Sequence, residues 1–104
     1  MTVKIVANGK PMPLGKLADA EIHFGEGLLA GLKLMGFTIW ERRPGMRTVT
    51  FPARQYVVGG NRRSFALLRA IGETAPQDRL RQAVLQAYAA YEGRSATEES
   101  AATA

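Results

Sequence analysis

The chain has 104 residues, of which 46% are hydrophobic and 22% charged, with a net charge of +5 and a pI of about 10.1. This size predicts one domain with a modest core, the composition excludes wholesale disorder, and no apolar run is long enough to span a bilayer. Cysteine is absent, which excludes disulfides, zinc–thiolate sites and thiol catalysis. The first residues do not fit a secretory signal, so a cytoplasmic protein without membrane association is expected.

Residues 1–16 are expected to form an N-terminal arm or an edge strand. Val3 and Ile5 suit a short strand, and Asn8-Gly9 is a typical type I′ turn pair. Pro11 and Pro13 follow directly, and each removes a backbone donor that a central strand would need.

Residues 17–24 predict the first strand of the domain. Ala18, Ala20, Ile22 and Phe24 alternate with Leu17, Asp19, Glu21 and His23. An alternation of period two indicates a strand with one dry and one wet face. Gly25-Glu26-Gly27 then predicts a turn.

Residues 28–41 form the longest apolar segment and predict a second strand, although residues 28–35 also permit a helix. Gly31, Gly36 and the run Phe-Thr-Ile-Trp favour the strand. In that strand one face carries Leu32, Leu34 and Trp40, and the other carries Met35, Phe37 and Ile39. Because both faces are apolar and one helix covers only one of them, a homodimer partner is expected to cover the other.

Two further strands are predicted at residues 47–58 and 62–71. Pro44-Gly45 suits the centre of a type II turn before the first of them. Pro52 interrupts residues 47–58 and predicts a kink, because proline cannot donate to a sheet ladder. Gly59-Gly60-Asn61 predicts the turn between the two strands.

Residues 74–92 predict the final element, a helix. Thr74 and Gln77 have capping-box spacing, and Pro76 suits a first turn. One apolar stripe consists of Leu80, Ala83, Val84, Ala87, Tyr88 and Tyr91. The fold class is therefore α+β: residues 17–92 form a four-stranded antiparallel meander followed by one C-terminal helix (β-β-β-β-α), and residues 93–104 form a disordered tail.

Catalytic and metal-binding patterns are weak in this sequence. His23 shares a strand face with Asp19 and Glu21, which permits an acid–base pair but is more often a solvated face. No metal-ligand spacing and no glycine-rich phosphate loop is present. We therefore expect neither an enzyme nor a metal or other small-molecule cofactor.

Positive charge is concentrated in the middle of the chain. Residues 33–69 contain eight lysines and arginines and a single acid, Glu41. Because arginine forks onto phosphate, this excess favours DNA or RNA as the partner, although a merely solvated surface is the plainer interpretation. In a meander the second and third turns lie at opposite ends of the sheet. The cations near these turns would therefore form two clusters, or a stripe along the sheet edge. The candidate contacts are Arg42, Arg43, Arg47, Arg54, Arg62, Arg63 and, by base stacking, Tyr56, whereas Trp40 is expected to pack in the core.

Three segments of the chain form a recognisable pattern: Leu34-Met35-Gly36-Phe37-Thr38-Ile39-Trp40-Glu41, then Val49-Thr50-Phe51-Pro52-Ala53-Arg54, then Arg63-Ser64-Phe65-Ala66-Leu67-Leu68. The helix adds Ala83-Val84-Leu85 with Tyr88. Together these elements resemble the SpoVG family (stage V sporulation protein G, a septation regulator). The resemblance covers roughly residues 17–90. It implies a dimeric bacterial nucleic-acid-binding regulator, with Arg54, Arg62 and Arg63 at the family's basic positions. The alternative is a homo-oligomeric protein-interaction or structural module with no nucleic-acid role.

Overall fold

The computed structural model describes residues 1–7 and 14–103, with side chains described as far as residue 93. In chain order its elements are β1 (Thr2–Val6), β2 (Lys16–His23), β3 (Lys33–Arg43), β4 (Met46–Thr50), β5 (Ala53–Val58), β6 (Asn61–Ala66) and α1 (Ala75–Thr103). The turn predicted at Asn8-Gly9, together with Pro11 and Pro13, lies outside the described residues.

The predicted α+β class, an antiparallel meander followed by a helix, is confirmed. β1, β2, β3 and β4 form one four-stranded antiparallel sheet in that order, and β5 pairs with β6 in a second, two-stranded sheet. The membership of the meander differs from the prediction. β1 forms one edge of the four-stranded sheet, which confirms the edge-strand alternative for residues 1–16. β6, which was predicted as the fourth strand of the meander, belongs to the second sheet instead.

The core lies between the four-stranded sheet and α1. The apolar face predicted for β2 is confirmed, because Ala18, Ala20 and Ile22 are all buried, but Glu21, which was expected on the wet face, is buried as well. The helix packs on β1 and β4 at the two edges of this sheet. The buried apolar residues are Ala18, Ala20, Ile22, Phe37, Ile39, Val49, Val84 and Tyr88.

The predicted strand 28–41 is shorter at its start and irregular in its middle. It begins at Lys33, and Leu28, Leu29 and Leu32 are exposed in the preceding loop. Ala20 pairs with Phe37 and Ile22 with Leu34, so β3 has one residue more than β2 between these pairs. This bulge lies at Gly36, whose φ is 106°.

The bulge corrects the predicted faces of β3. Leu34 packs against the core although it was grouped with Trp40, and Met35 is exposed although it was grouped with Phe37 and Ile39. A residue inserted into a strand reverses the side on which every following residue lies. The face of β3 on the core therefore carries Leu34, Phe37 and Ile39, and the homodimer inferred from the two apolar faces stays a prediction.

Pro52 separates the two sheets, so the predicted kink is a complete break. β4 ends at Thr50, and β5 begins at Ala53 with different partners. Pro52 is buried against the bulge, since a Cβ added to Gly36 would lie 3.1 Å from its Cβ. The amide of Leu67 donates to the carbonyl of Pro52 at 3.0 Å and closes the base of the β5–β6 hairpin.

The helix starts as predicted and continues further. The Asp78 amide donates to the Thr74 carbonyl at 3.1 Å, and the stripe that includes Val84 and Tyr88 faces the sheet. The predicted stop at Gly93 is corrected, because α1 runs to Thr103, and the disorder expected of residues 93–104 stays a prediction. One glycine costs a helix only about 1 kcal/mol, and the alanine- and glutamate-rich segment that follows contains no proline.

Candidate nucleic-acid interface

The β5–β6 hairpin stands apart from the rest of the fold. Its strands are joined by the predicted turn at Gly59 and Gly60, whose φ values of 57° and 81° are those of a type I′ turn. Every residue from Ala53 to Leu67 is exposed. The predicted last strand, 62–71, ends at Ala66, so the hairpin is a short ribbon with two solvated faces.

The register of the hairpin assigns its side chains to these two faces. Arg54 is opposite Phe65, and Tyr56 is opposite Arg63. Since residues two apart on a strand share a face, these four side chains lie on one side of the ribbon. The other side carries Ala53, Gln55, Val57, Arg62, Ser64 and Ala66.

Arg69 adds a further cation to the first side. Its guanidinium carbon lies 4.1 Å from the centroid of the Phe65 ring, and its Nε donates to the Ala66 carbonyl at 2.9 Å. We call Arg54, Tyr56, Arg63, Phe65 and Arg69 the arginine–aromatic face. Sequence reasoning missed Phe65 and Arg69 as candidates, although the register of a Gly-Gly hairpin would have placed Phe65 opposite Arg54.

Within the described side chains, no carboxylate neutralises the charge of the hairpin. Residues 53–67 contain three arginines and no acid. Among residues 14–93, no carboxylate lies within ion-pair distance of Arg54, Arg62 or Arg63. These guanidinium groups therefore keep their donors for an external anion such as phosphate.

Arg47, in contrast, is engaged within the body of the protein. Its guanidinium contacts both carboxylate oxygens of Glu92, at 2.6 and 3.1 Å, and lies 5.0 Å from the Tyr88 ring centroid. The hydrogen bond with Glu92 raises the pKa of Arg47 above its usual value. Arg47 thus joins β4 to α1, and its charge is largely cancelled.

Trp40 is not a core residue, contrary to the prediction. Because Ile39 points towards the helix, Trp40 points to the opposite face of the sheet, where it is half-buried. Its Nε1 donates to the Thr50 hydroxyl at 3.1 Å, and the Arg42 guanidinium lies 4.5 Å from its ring centroid. The helix-free face of the sheet therefore has its own arginine–aromatic pair.

The predicted contact residues accordingly form separate groups. Arg54, Tyr56 and Arg63 are brought together on one face of the hairpin, and Arg62 lies on the other. Arg42 and the exposed Arg43 end β3, beside the Pro44-Gly45 turn. β4 runs from that turn to Pro52, so Arg42 and Arg43 are separated from the hairpin by the length of β4.

The structure also brings His23 and Glu21 together. The His23 Nε2 donates to the Glu21 carboxylate at 2.8 Å, and the Lys33 Nζ approaches the same oxygen at 3.3 Å. The hydrogen bond from His23 lowers the pKa of Glu21 below 4.5, with Lys33 acting in the same direction and burial opposing it. Asp19 instead contacts Lys16 at 3.1 Å and accepts a hydrogen bond from Thr38 at 3.2 Å.

The described part of the chain offers neither a metal-binding cluster nor a membrane-spanning helix. No group of three histidine, cysteine, aspartate or glutamate side chains is placed there to hold a metal ion. None of the helical segments in the same residues combines the length and apolar character needed to cross a bilayer.

No family model, curated protein or solved structure matches this chain.

Proposed function

We propose that this chain is a small dimeric nucleic-acid-binding regulatory protein, as the resemblance to the SpoVG family implies, and that the arginine–aromatic face is its principal contact surface. The observation that supports this most is the exposure of unpaired arginines and two aromatic rings on one side of a projecting ribbon. A folded domain gains no stability from such a surface, because none of these side chains is buried in its core.

Phosphate binding follows from the chemistry of the guanidinium group. Arg54 and Arg63 each present several N–H donors to solvent, and a phosphate can accept two of them in parallel. The neighbouring Arg69 lies at the base of the same face. Three phosphate contacts would release about three counterions, so the logarithm of the affinity should fall with the logarithm of the salt concentration with a slope of about −2 to −3.

The remaining predicted residues have secondary roles in this proposal. Arg62, on the other side of the ribbon, adds to the positive potential near the hairpin tip. Arg42 and Arg43 would meet a longer nucleic acid that reaches the far end of β4. Arg47 stabilises the contact between β4 and α1 rather than binding nucleic acid.

Dimerisation is supported by apolar side chains that the described chain leaves uncovered. Leu28 and Leu32 in the loop before β3, and Met35 at the bulge, are all exposed. These three side chains lie within eight residues of the sequence, and concentrations of exposed apolar surface are usual where proteins associate. Sedimentation that shows a monodisperse monomer at micromolar concentration would contradict this part of the proposal.

Nucleic-acid binding is tested by fluorescence anisotropy with labelled single-stranded DNA, duplex DNA and RNA at low and moderate salt. The triple variant Arg54→Ala/Arg62→Ala/Arg63→Ala should lose at least about 10-fold in affinity and show a shallower salt dependence. The control is Arg79→Ala, compared with Arg63→Ala, because each removes one positive charge and Arg79 is an exposed residue of α1. Equal losses in these two single variants, or no binding by the folded wild type at low salt, would contradict the proposal.

A second candidate function is the homo-oligomeric module. Each strand of the hairpin has one unpaired edge, and Val57 and Val58 near its tip are exposed. An apolar cleft of about 110 Å³ at the hairpin base, lined by residues that include Phe51, Leu68 and Leu80, could receive an apolar side chain of a second copy. Hairpin variants that change the oligomeric state, in a protein that binds no nucleic acid, would favour this function.

A further inference from the structure

We infer that the arginine–aromatic face takes single-stranded rather than duplex nucleic acid, with bases stacked on the rings of Tyr56 and Phe65. This inference rests on the proposed function and specifies its ligand as an unpaired strand of DNA or RNA. The geometry of the hairpin, the exposure of the two rings and the position of Arg69 each point to it.

The first argument is the placement of the rings. Tyr56 is opposite Arg63 and Phe65 is opposite Arg54, so the two rings are diagonal neighbours on one face. Diagonal positions of a strand pair are about 7–8 Å apart. Successive bases of a strand are about 3.4 Å apart along a helix and further apart when the strand is extended. The backbone positions that carry the two rings therefore have a spacing compatible with neighbouring bases in an extended strand.

The second argument is exposure. Tyr56 is 40% and Phe65 is 48% accessible, although both are large side chains with an apolar surface. A duplex hides the flat faces of its bases and offers only base edges and phosphates. Aromatic rings can stack only on bases that have left the duplex, and such stacking tolerates any sequence. The arginines alone could bind the phosphates of a duplex or of a single strand, whereas stacking on the rings requires the unpaired bases of a single strand.

The third argument is the position of Arg69 against Phe65. The guanidinium carbon lies 4.1 Å from the ring centroid, and the hydrogen bond from Nε to the Ala66 carbonyl fixes the side chain there. One side of the Phe65 ring is therefore braced by a cation, which leaves its other side for a base. The remaining N–H groups of the same guanidinium can donate to a phosphate of the strand that carries the base.

The opposite side of the ribbon carries the polar side chains that a duplex-binding protein would need to contact base edges. A two-stranded ribbon in the major groove reads base edges with polar side chains, and the polar pair here is Gln55 and Ser64. These two hydrogen-bond each other at 3.3 Å, and no aromatic ring shares their face. Duplex reading would therefore depend on the Gln55–Ser64 side and single-strand binding on the arginine–aromatic face, so variants of the two sides distinguish the two modes.

The test compares two double variants that leave the net charge unchanged. Tyr56→Leu/Phe65→Leu removes the rings, and Gln55→Ala/Ser64→Ala removes the polar pair. Anisotropy is measured with oligonucleotides of about 12 nucleotides, as single strands and as the matched duplex. The ring variant should lose at least about 10-fold in single-strand affinity and less than about twofold in duplex affinity, while the polar variant should change neither.

A fluorescent base makes the test independent of the folding of any variant. A single strand that contains 2-aminopurine should lose fluorescence on binding the wild-type protein, because stacking on an aromatic ring quenches this base. Equal single-strand and duplex affinities, no quenching, or a loss confined to the polar variant would overturn the inference. In each of those cases the proposed function survives if Arg63→Ala still weakens binding more than Arg79→Ala. An absence of all binding would overturn both.

Discussion

The sheet–helix body and the β5–β6 hairpin use similar strand sequences and reach opposite outcomes. Val49 on β4 is 6% exposed, whereas Val57 on β5 is 66% exposed, although both belong to the segment 47–58 that reads as a single strand. The alternation of side chains determines that a strand forms. Whether its apolar side is buried depends on what lies over it, and α1 covers the body but not the hairpin.

The difference also separates stability from binding. A two-stranded hairpin is only marginally stable by itself. The β5–β6 hairpin is stabilised by its type I′ turn and by the backbone hydrogen bond from the Leu67 amide to the Pro52 carbonyl at its base. The body holds the buried apolar cluster. Substitutions in the body should therefore change the free energy of unfolding, and substitutions in the hairpin should change binding.

The largest expected effect is a loss of unfolding free energy caused by a substitution in the core of the sheet–helix body. Phe37 is fully buried, and its ring centroid lies 5.4 Å from that of Phe51. Phe37→Ala should lower the free energy of unfolding by about 3–5 kcal/mol, measured by urea denaturation followed by circular dichroism. Tyr56→Ala, on the hairpin, should change it by less than about 0.5 kcal/mol. A similar cost for both variants would mean that the hairpin is part of the cooperative core.

An intermediate effect is expected where the two regions meet. Gly36 has a φ of 106°, and a Cβ there would lie 3.1 Å from Pro52 Cβ and 3.3 Å from Pro52 Cα. Gly36→Ala should therefore cost about 1–3 kcal/mol of unfolding free energy. Gly25→Ala is the control, because Gly25 does not have a positive φ and no atom lies within 4 Å of its added Cβ. Equal stability of the two variants would show that the Gly36–Pro52 contact adapts without strain.

The smallest effect is a pH dependence that belongs to the body alone. The hydrogen bond from His23, aided by Lys33, lowers the pKa of Glu21 below 4.5 in the folded state. The ionised carboxylate therefore contributes stability that is present above pH 4.5 and is lost as the pH falls through the lower folded-state value. Wild type should be more stable than Glu21→Gln near neutral pH, and the difference should shrink below pH 4.5 in urea titrations. Glu26→Gln, at an exposed loop position, should show no such trend.

The sequence predicted most elements of the fold because their signals are local. The alternation of period two predicted the buried face of β2, and the spacing of Val84 and Tyr88 predicted the apolar stripe of the helix. The pairs Pro44-Gly45 and Gly59-Gly60 predicted two turns. The bulge at Gly36 was not predictable in this way. At Gly36 the backbone lies close to Pro52, which follows β4 in the chain, and this contact is not visible in the local sequence. The bulge reverses the alternation, so residues before Gly36 lie on the opposite face from the one that strict period two assigns to them.

The candidate interface was predicted in part. Arg54, Arg63 and Tyr56 were selected from charge and residue type, but their common face depends on the pairing of β5 with β6. Arg47 looked equivalent in sequence, yet Glu92, far along the chain, occupies its guanidinium. Trp40 was assigned to the core because tryptophan usually packs, whereas the alternation from the buried Ile39 directs it to the other face.

The packing of α1 on both β1 and β4 has a consequence for the order in which the protein can fold. β1 and α1 are the first and last elements, and the meander between them is built from neighbouring strands with short connections. The strands can pair as they leave the ribosome, but their apolar side stays open to water until the helix has been synthesised. The nascent chain therefore carries an uncovered sheet between the synthesis of β4 and that of α1, and aggregation is favoured in this interval.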